Sequence, residues 1–361
     1  NRYLELLAAN GRLYGAAGDA ALTSFDVRGF IAPFPLRGHS FGQMSSAVSL
    51  GSSVVSAKAS GGLFKYALGA GGELTPQTNW DISTVSTVRD GNGTRVLTSA
   101  GTRARLWDVS QNPPAEVSSV TLSGSIVSAA INGTNGGVAV LADQTAWKLD
   151  FSQAQGSATK LDFGGAKQSF VERGGNDIAF AEITESGATT VRFYSGGVLT
   201  SPPATATFEG AATSGIGVSG AGLVAGVTFK GISVANFGQG GSVVVYPGSN
   251  ATIPRDVQMT GNALFVLSPS KIQYWDASTR TLKLEVALDT TATTTHAASG
   301  GTSAVVATEE GLATIQYTTS STSPDELAAG SANRYFRKLI VGDRLLHLFD
   351  GRSVEMLPLD S

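Results

Sequence analysis

Short apolar runs separated by polar turns recur along the whole chain. The clearest of them are RVLTSA at 95–100, VAVLAD at 138–143, DIAFAEI at 177–183, ALFVLS at 263–268 and SAVVAT at 303–308. They are short, rich in Val, Leu and Ala, and bounded by Gly and Asn, which is typical of buried β-strands and too short for helices. The pattern therefore predicts a chain of short strands.

A turn residue precedes each run at a nearly constant spacing. Gly or Asn takes this place at Asn10, Gly51, Gly93, Asn135, Gly175, Gly220, Gly261, Gly301 and Gly342, in steps of 40 to 45 residues. Gly and Asn tolerate the positive φ that a tight hairpin turn demands. Each position is therefore predicted to be the turn of a two-stranded hairpin.

A third and a fourth strand complete each repeat. The strand after each hairpin ends in an aromatic residue or Asp, as at Trp107-Asp108 and Trp275-Asp276. A more polar strand then follows, such as AEVSSVTLSG at 115–124 or SVVVYPG at 242–248. Four short strands in a repeat of about 40 residues is the pattern of a β-propeller blade. The chain is therefore predicted to be all-β, with four-stranded antiparallel blades.

Two of the repeats carry residues of a known family. RLWDVS at 105–110 and IQYWDAS at 272–278 resemble the strand that ends in the Trp-Asp dipeptide of WD40 repeats, and Gly38-His39 resembles the Gly-His dipeptide of that family. The resemblance implies a WD40-like β-propeller and no particular activity, because function in such folds lies in the loops. Trp80-Asp81 is out of phase with the repeat and is interpreted as a connection between units.

Nine hairpins predict nine repeat units in a single domain, 1–361. The approximate units are 1–42, 43–83, 84–124, 125–166, 167–210, 211–252, 253–292, 293–332 and 333–361. Nine blades is the direct interpretation. Eight blades would place one hairpin outside the ring, and seven, the commonest number in the family, would leave about 80 residues over. The polar stretch Thr318–Asn333 is interpreted as a strand plus a loop and not as a domain boundary.

Composition excludes several classes of partner and site. The 361 residues include 45 Gly and no Cys, only 15% are charged, and the net charge is −3. Because there is no basic cluster, nucleic acid and anionic membrane surfaces are not expected partners. Because there is no Cys, disulfides and thiolate metal sites are excluded. No run approaches 18 apolar residues, so no transmembrane segment is predicted.

The cellular location is inferred from composition alone. Nine Lys residues and a surface rich in Gly, Ser and Thr favour an exported protein, in the periplasm, at the cell surface or outside a bacterial cell, over a cytoplasmic one. The chain begins at Asn1, which leaves open whether a signal peptide preceded it.

The motifs that suggest chemistry are explained by the repeats. Gly38–Gly42 matches the G-x-S-x-G nucleophile elbow but lacks a following helix, so it is interpreted as a connection between blades. The three histidines, His39, His296 and His347, have no zinc-ligand spacing. Asp90–Gly93 has the oxygen-rich composition of a calcium loop, but is interpreted as a hairpin turn. No catalytic residue, cofactor or metal site is therefore predicted.

Function is expected at residues that the blade pattern does not require. The candidates for partner contact are Arg37, His39, Trp80, Asp81, Arg173, Glu309 and Glu310. Trp80 is the foremost, with packing between blades as its alternative. The leading hypothesis is a non-enzymatic scaffold that binds a protein partner. The alternative is a propeller that binds or cleaves carbohydrate through aromatic residues and paired carboxylates, and the third is a structural subunit of a surface assembly.

Overall fold

The computed structural model describes most of the backbone and the side chains of the central part of the chain. The backbone is described for residues 5–9, 12–16, 22–26, 36–40, 43–68, 74–81, 86–246, 254–269, 271–287, 292–297, 303–308, 311–316, 326–328, 338–342, 345–349 and 354–358. Side chains are described for residues 43–68, 74–81, 86–246, 254–269, 271–283, 285, 304–307 and 311–313. The predicted contact residues Glu309 and Glu310 lie outside the described residues.

Strands form nearly all of the regular structure that is described, with two short 3₁₀ turns at Ser195–Gly197 and Phe237–Gln239. The strands are β1 (Glu5–Ala9), β2 (Arg12–Ala16), β3 (Leu22–Asp26), β4 (Leu36–Ser40), β5 (Met44–Ser49), β6 (Ser53–Lys58), β7 (Leu63–Leu68), β8 (Leu74–Trp80), β9 (Thr87–Asn92), β10 (Arg95–Ala100), β11 (Arg103–Asp108), β12 (Ala115–Thr121), β13 (Ile126–Ile131), β14 (Gly136–Leu141), β15 (Ala146–Asp150), β16 (Ser157–Lys160), β17 (Phe170–Gly174), β18 (Asp177–Ile183), β19 (Thr189–Tyr194), β20 (Ala204–Phe208), β21 (Ile216–Val218), β22 (Leu223–Thr228), β23 (Gly231–Asn236), β24 (Ser242–Val245), β25 (Asp256–Thr260), β26 (Ala263–Ser268), β27 (Lys271–Asp276), β28 (Thr281–Ala287), β29 (Ala292–Ala297), β30 (Ser303–Thr308), β31 (Gly311–Gln316), β32 (Glu326–Ala328), β33 (Lys338–Gly342), β34 (Leu345–Phe349) and β35 (Val354–Pro358).

The chain divides into two compact units. The larger, Pro35–Tyr317, is called the ring unit, and the smaller, Asn1–Phe34 with Thr318–Ser361, is called the two-sheet unit. The ring unit is thus inserted in the sequence of the two-sheet unit, between β3 and β32.

The ring unit consists of seven four-stranded antiparallel sheets. They are blade 1 (β5–β8), blade 2 (β9–β12), blade 3 (β13–β16), blade 4 (β17–β20), blade 5 (β21–β24), blade 6 (β25–β28) and blade 7 (β29, β30, β31 and β4). The first strand of each blade contacts the first strand of the next, and β29 of blade 7 contacts β5 of blade 1. The ring is therefore closed, as in a β-propeller.

Strand β4 completes blade 7 from the other end of the ring unit. It pairs antiparallel with β31, with Leu312 opposite His39 and Thr314 opposite Arg37. Blades 1 to 6 are each built from strands that are consecutive in sequence. The seventh blade therefore joins the two ends of the ring unit by backbone hydrogen bonds.

The hydrophobic core of the ring unit lies between neighbouring blades. Each of the seven blade interfaces carries its own cluster of buried apolar residues. Between blades 2 and 3 the cluster includes Leu97, Leu106, Ile131 and Phe151, and between blades 7 and 1 Val305 packs with residues of blade 1. Burial of one such side chain contributes about 1.5–3 kcal/mol, so every interface stabilises the closed ring.

The two-sheet unit holds the remaining strands. One sheet has the order β1-β2-β3-β32, and the other, β33-β34-β35, has three strands among the residues that the structure describes. The fourth strand of the first sheet is again supplied from a distant part of the chain, since Phe25 of β3 pairs with Glu326 of β32.

The predicted fold class is confirmed, and so is each of the nine hairpins. Four of the predicted turn glycines have φ between 53° and 73°: Gly51, Gly93, Gly175 and Gly261. In the hairpin of blade 5 the left-handed residue is Gly222 and not Gly220. The Gly and Asn residues at the turns therefore predict the strand pairing within a repeat.

A single ring of nine blades is not confirmed. Strand β4 follows β3 in sequence but pairs with β31, and this closes the ring unit after seven sheets. The ring unit has seven blades, which is the number that would leave about 80 residues over. One boundary between the units falls at Thr318, at the start of the stretch that we had interpreted as strand plus loop. Gly38-His39-Ser40, interpreted as a connection, is part of β4.

Candidate functional site

Trp80 lies in the packing between two blades. It is the last residue of β8 and not part of a connection, and only 7% of it is exposed. Its ring meets that of Trp107 in blade 2 edge-on, with the centroids 6.2 Å apart and the planes at 72°. So little of the indole is accessible that a contact with a partner is not supported, and its contacts agree with the alternative, packing between blades.

Asp81 joins the same two blades by an ion pair. It has a φ of 47°, and its carboxylate lies 2.5 Å from the guanidinium of Arg105 in blade 2. The side chains are only 10% and 12% exposed. Arg105 also lies over the ring of Trp107, 5.9 Å from its centroid, and 3.8 Å from Glu116. Asp81 is therefore part of a blade interface.

Arg173 is held in a buried ion pair that ties together blades 2 and 4. It donates to both carboxylate oxygens of Asp90, at 2.7 and 2.8 Å, and to the carbonyl oxygen of Gly91 at 2.7 Å. The same carboxylate accepts a hydrogen bond from the backbone N–H of Ile131 in blade 3, at 2.8 Å. Burial alone would lower the pKa of Arg173, but Asp90 raises it above its usual value. Asp90 is thus a structural acceptor and belongs to neither a hairpin turn nor a calcium loop.

The other predicted contact residues stand on the closing blade. Arg37 and His39 occupy alternate positions of β4, the strand that completes blade 7. His296 lies on β29, the first strand of that blade, as predicted. The structure therefore brings Trp80 and Asp81 together at one blade interface, and places Arg37, His39 and Arg173 on other blades.

The first strands of the blades line a central channel. A cavity of about 170 Å³ is bordered by residues of blades 1 to 6. Serine side chains join neighbouring strands along it, since Ser46 Oγ accepts from the N–H of Val88 at 2.8 Å and Ser128 Oγ from that of Val171 at 2.9 Å. These hydrogen bonds connect the first strands of neighbouring blades, which form the wall of the channel.

Arg89 and Glu172 are partly buried charged residues of the channel. The guanidinium of Arg89 donates to the carbonyl oxygens of Ile126 and Val127, each at 2.8 Å, and burial lowers its pKa to about 10. Glu172 is half-buried and borders the cavity of the channel. Burial, with the nearby carboxylates of Asp90 and Asp256, raises the pKa of Glu172 well above its usual value.

Two carboxyl groups, Glu172 and Asp256, therefore border the same cavity. Two carboxyl groups at one cavity are what an acid and a base would require, and burial raises the pKa of one of them, Glu172. The aromatic residue in the described lining is Phe170, and the described lining contains no Trp. The channel thus offers a carboxyl pair without the indole platform expected at a sugar site.

A second concave surface lies on the outside of the ring, between blades 5 and 6. This groove has a volume of about 490 Å³, and its walls include Val244 and Val245 of β24 and Leu282 of β28. Trp275, which is 5% exposed, forms its floor. Tyr246 packs against Trp275 at a centroid distance of 6.0 Å. We call this surface the outer groove.

The outer groove is unusually apolar for a solvent-facing edge. Six large hydrophobic residues stand exposed in the described part of the chain, and three of them are on β24 and β28: Val243 (37%), Val245 (43%) and Leu282 (41%). Their concentration on two adjacent edge strands marks an apolar patch, which on a soluble protein usually indicates an interaction surface.

Arg280 lines the outer groove, and Lys283 follows the lining residue Leu282 in β28. Arg280 and Lys283 are exposed and form no ion pair with any residue that the structure describes. Asp276 is occupied locally, because it accepts hydrogen bonds from the N–H and hydroxyl of Ser278 at 2.8 and 2.6 Å. Glu285 is engaged by Lys271 at 3.0 Å. Arg280 is therefore the charged side chain in the described lining of the groove, and the nearby Asp276 keeps its negative charge because the described groups that donate to it are neutral.

Comparison with known proteins supports the fold and does not name a function. The crystal structure of the computationally designed protein Ika8 is similar, with a TM-score of 0.53 and 16% identity, over 87% of this chain and 95% of that one. At this identity the similarity extends to the fold alone. No protein-family model and no curated protein matches the sequence.

Two further findings apply to the described residues only. No helix there is long and apolar enough to cross a membrane. Within the same part of the chain, no group of three or more His, Asp or Glu side chains is arranged to hold a metal ion.

The residues of the outer groove were not predicted as contacts, although the sequence carried a signal for them. The fourth strand of a blade is usually polar, but β24 contains three consecutive valines, Val243–Val245. Val243 and Val245 are exposed, and Val244 between them is half-buried. Arg280 had no comparable signal, since its significance depends on its backbone conformation.

Proposed function

We propose that this chain is a non-enzymatic scaffold that binds a protein partner. The observation that carries the proposal is the outer groove, an exposed apolar surface on a closed and internally packed ring. The closed ring holds the groove walls in place, so a partner would meet a preformed surface and lose little free energy to ordering it. The WD40-like resemblance of two repeats fits such a role. Composition further favours a location at or beyond a bacterial cell envelope.

A pull-down with a groove variant tests this proposal. The full chain, Leu282→Glu and Val198→Glu would be used as baits in extracts and secreted fractions of the source organism. Val198 is 50% exposed and lies in blade 4, outside the outer groove, so it controls for the added charge. We expect the wild-type chain and Val198→Glu to retain the same protein and Leu282→Glu to lose it. Equal retention by all three, or no retained protein, would contradict the proposal.

The alternative function is carbohydrate binding or cleavage in the central channel. One observation favours it, the carboxyl pair of Glu172 and Asp256 at one cavity. A glycan array would test it, with Glu172→Gln as the matched variant. Binding of an oligosaccharide that Glu172→Gln abolishes would support this function over the scaffold, and an array without signal would remove it.

A structural role in a surface assembly is the third candidate. It predicts that the chain forms ordered oligomers at high concentration through its exposed edges. Sedimentation over a range of concentrations would show this, and a monomer at all of them would remove the candidate.

A further inference from the structure

Among the residues that the structure describes, no strand pairs with the outer edge of β24. The direction of each backbone group along this strand can be assigned. The N–H of Tyr246, the next residue, donates to the carbonyl oxygen of Ile232 in β23 at 2.8 Å. Because backbone groups alternate sides along a strand, Val244 faces β23 in the same way. Val243 and Val245 therefore direct their N–H and C=O groups away from the sheet.

This edge lacks the devices that protect several other outer strands. Outer strands commonly carry a charge or a proline that prevents a further strand from pairing. Here β8 contains Pro76, β12 contains Glu116 and β16 contains Lys160. Strand β24, Ser242–Val245, has neither. The outer strand β20, Ala204–Phe208, also has neither, but Pro202 and Pro203 directly precede it. An unprotected, apolar edge is the surface to which an extended peptide can add as another strand.

Arg280 is held at the groove in a conformation that disfavours its side chain. Its φ is 58°, in the left-handed region, where a residue other than Gly costs about 1–2 kcal/mol. Gly would fill this position of the β27–β28 turn at lower cost. The turn holds this conformation, since the N–H of Arg280 donates to the carbonyl oxygen of Asp276 at 2.7 Å. The guanidinium is thereby presented at the groove, where it is suited to bind a carboxylate.

We propose that the outer groove binds an extended, acidic and aliphatic segment of a partner protein as an additional strand on β24. The backbone of Val243 and Val245 would pair with the segment, its aliphatic side chains would enter the groove over Trp275, and a carboxylate would meet Arg280. This inference rests on the proposed scaffold function and specifies the chemistry of the partner.

Hydrogen exchange first tests whether the edge is open in the free chain. Exchange of segment 242–246 would be followed by mass spectrometry at several concentrations of the full chain. We expect rapid exchange of the outward amides of this segment at every concentration. Protection at all concentrations would mean that another part of this chain covers the edge, and protection that rises with concentration would mean a second copy. Either result overturns the proposal.

A library of random linear peptides, displayed and selected on the full chain, then tests the occupant. We expect the enriched peptides to alternate aliphatic with acidic residues, and a synthetic copy to slow exchange of segment 242–246. A copy with N-methylated backbone amides should lose binding, because it cannot donate to the strand edge. Enriched peptides that are basic, or that protect other segments, would overturn the proposal.

Three variants separate recognition from folding. Arg280→Gly should weaken the selected peptide about tenfold or more, since a charged hydrogen bond is lost, while the variant itself becomes more stable. Gln144→Gly is the matched control, because Gln144 also has a positive φ, of 64°, and is remote from the groove. It should gain stability and keep full affinity. Val245→Thr should weaken binding about threefold to tenfold through lost apolar burial.

The outcomes distinguish this inference from the scaffold proposal. If Leu282→Glu loses the natural partner but no acidic peptide binds β24, the scaffold function stands and the strand-addition proposal fails. Unchanged peptide affinity in Arg280→Gly would equally overturn it. If the partner is retained by Leu282→Glu, the scaffold function at this groove fails first.

Discussion

The two Trp-Asp repeats of this chain have the same position in their blades and different surroundings. Trp107 of blade 2 is covered by Trp80 of blade 1, with 6.2 Å between the ring centroids. Trp275 of blade 6 is covered by Tyr246 of blade 5, at 6.0 Å, and by valines that leave a groove of about 490 Å³ beside it. Both tryptophans are buried, with 6% of Trp107 and 5% of Trp275 exposed, so the two interfaces differ in the groove beside Trp275. We call the first interface closed and the second open.

The charged residues near these two repeats also differ in whether they form ion pairs. At the closed interface Arg105 is paired with the buried Asp81, and Arg95 with Asp108 at 3.0 Å. At the open one Asp276 and Glu285 have local partners, while Arg280 and Lys283 have no ion pair among the described residues. The Trp-Asp signature therefore marks blade architecture, and what the preceding blade contributes decides whether a binding surface remains.

The largest effect is expected when the closed interface is opened. Trp80→Ala should destabilise the ring unit by about 4 kcal/mol, because a large buried ring is lost and a cavity remains beside Trp107. Leu282→Ala in the outer groove should change the stability by about 0.5 kcal/mol or less, since its side chain is already exposed. Denaturant unfolding monitored by fluorescence would measure both. Similar losses for the two variants would contradict the distinction between a closed and an open interface.

Breaking the charge pair at the closed interface is expected to cost slightly less. Arg105→Ala leaves the carboxylate of Asp81 largely buried without its cation, and the loss should be about 3 kcal/mol. In the double variant with Asp81→Ala the two losses should not add, because each single change already breaks the pair. A strictly additive double variant, measured by the same unfolding experiment, would show that the pair does not stabilise the interface.

Sequence patterns predicted the repeats well because those patterns are local. Turn glycines, alternation and the Trp-Asp strand ends each depend on contacts within one blade, and so all nine hairpins could be placed. The pairing of β4 with β31 could not be predicted, because it depends on where the ring closes. The burial of Trp80 could not be predicted for the same reason, because it depends on Trp107 from another repeat. Val243 and Val245 could have been found as a three-valine run on a strand that is normally polar.

The central channel provides a third environment, in which the carboxyl group of Glu172 is partly buried. The folded-state pKa of Glu172 is raised, chiefly by burial and also by Asp90 and Asp256. A raised pKa contributes stability that is complete below the unfolded value, about 4.3, and is lost as the pH rises through the folded value.

The stability of the wild-type chain relative to Glu172→Gln should therefore fall as the pH rises above about 4. Carboxylates with lowered pKa values, such as Asp108 and Asp276, are common to both chains and cancel in the difference. Thermal unfolding of the two proteins across the pH range would measure this. A difference that does not depend on pH would contradict the enclosed position of Glu172.

The smallest predicted effect on folding is a gain at the open interface. Arg280→Gly should stabilise the chain by about 1 kcal/mol, because Gly adopts a φ of 58° without steric cost. Urea midpoints of this variant and of the wild-type chain would show it. Lower stability in Arg280→Gly would mean that the arginine supports the fold, and the argument from strain would fail.

Competition at the outer groove tests the central claim most directly. The natural partner would be bound to the immobilised full chain, and the selected acidic peptide would then be added up to saturation of β24. If the open interface is the functional surface, the peptide releases the partner, and it does so less effectively from Arg280→Gly. A partner that stays bound to the wild-type chain while the peptide fully occupies the groove would contradict the account.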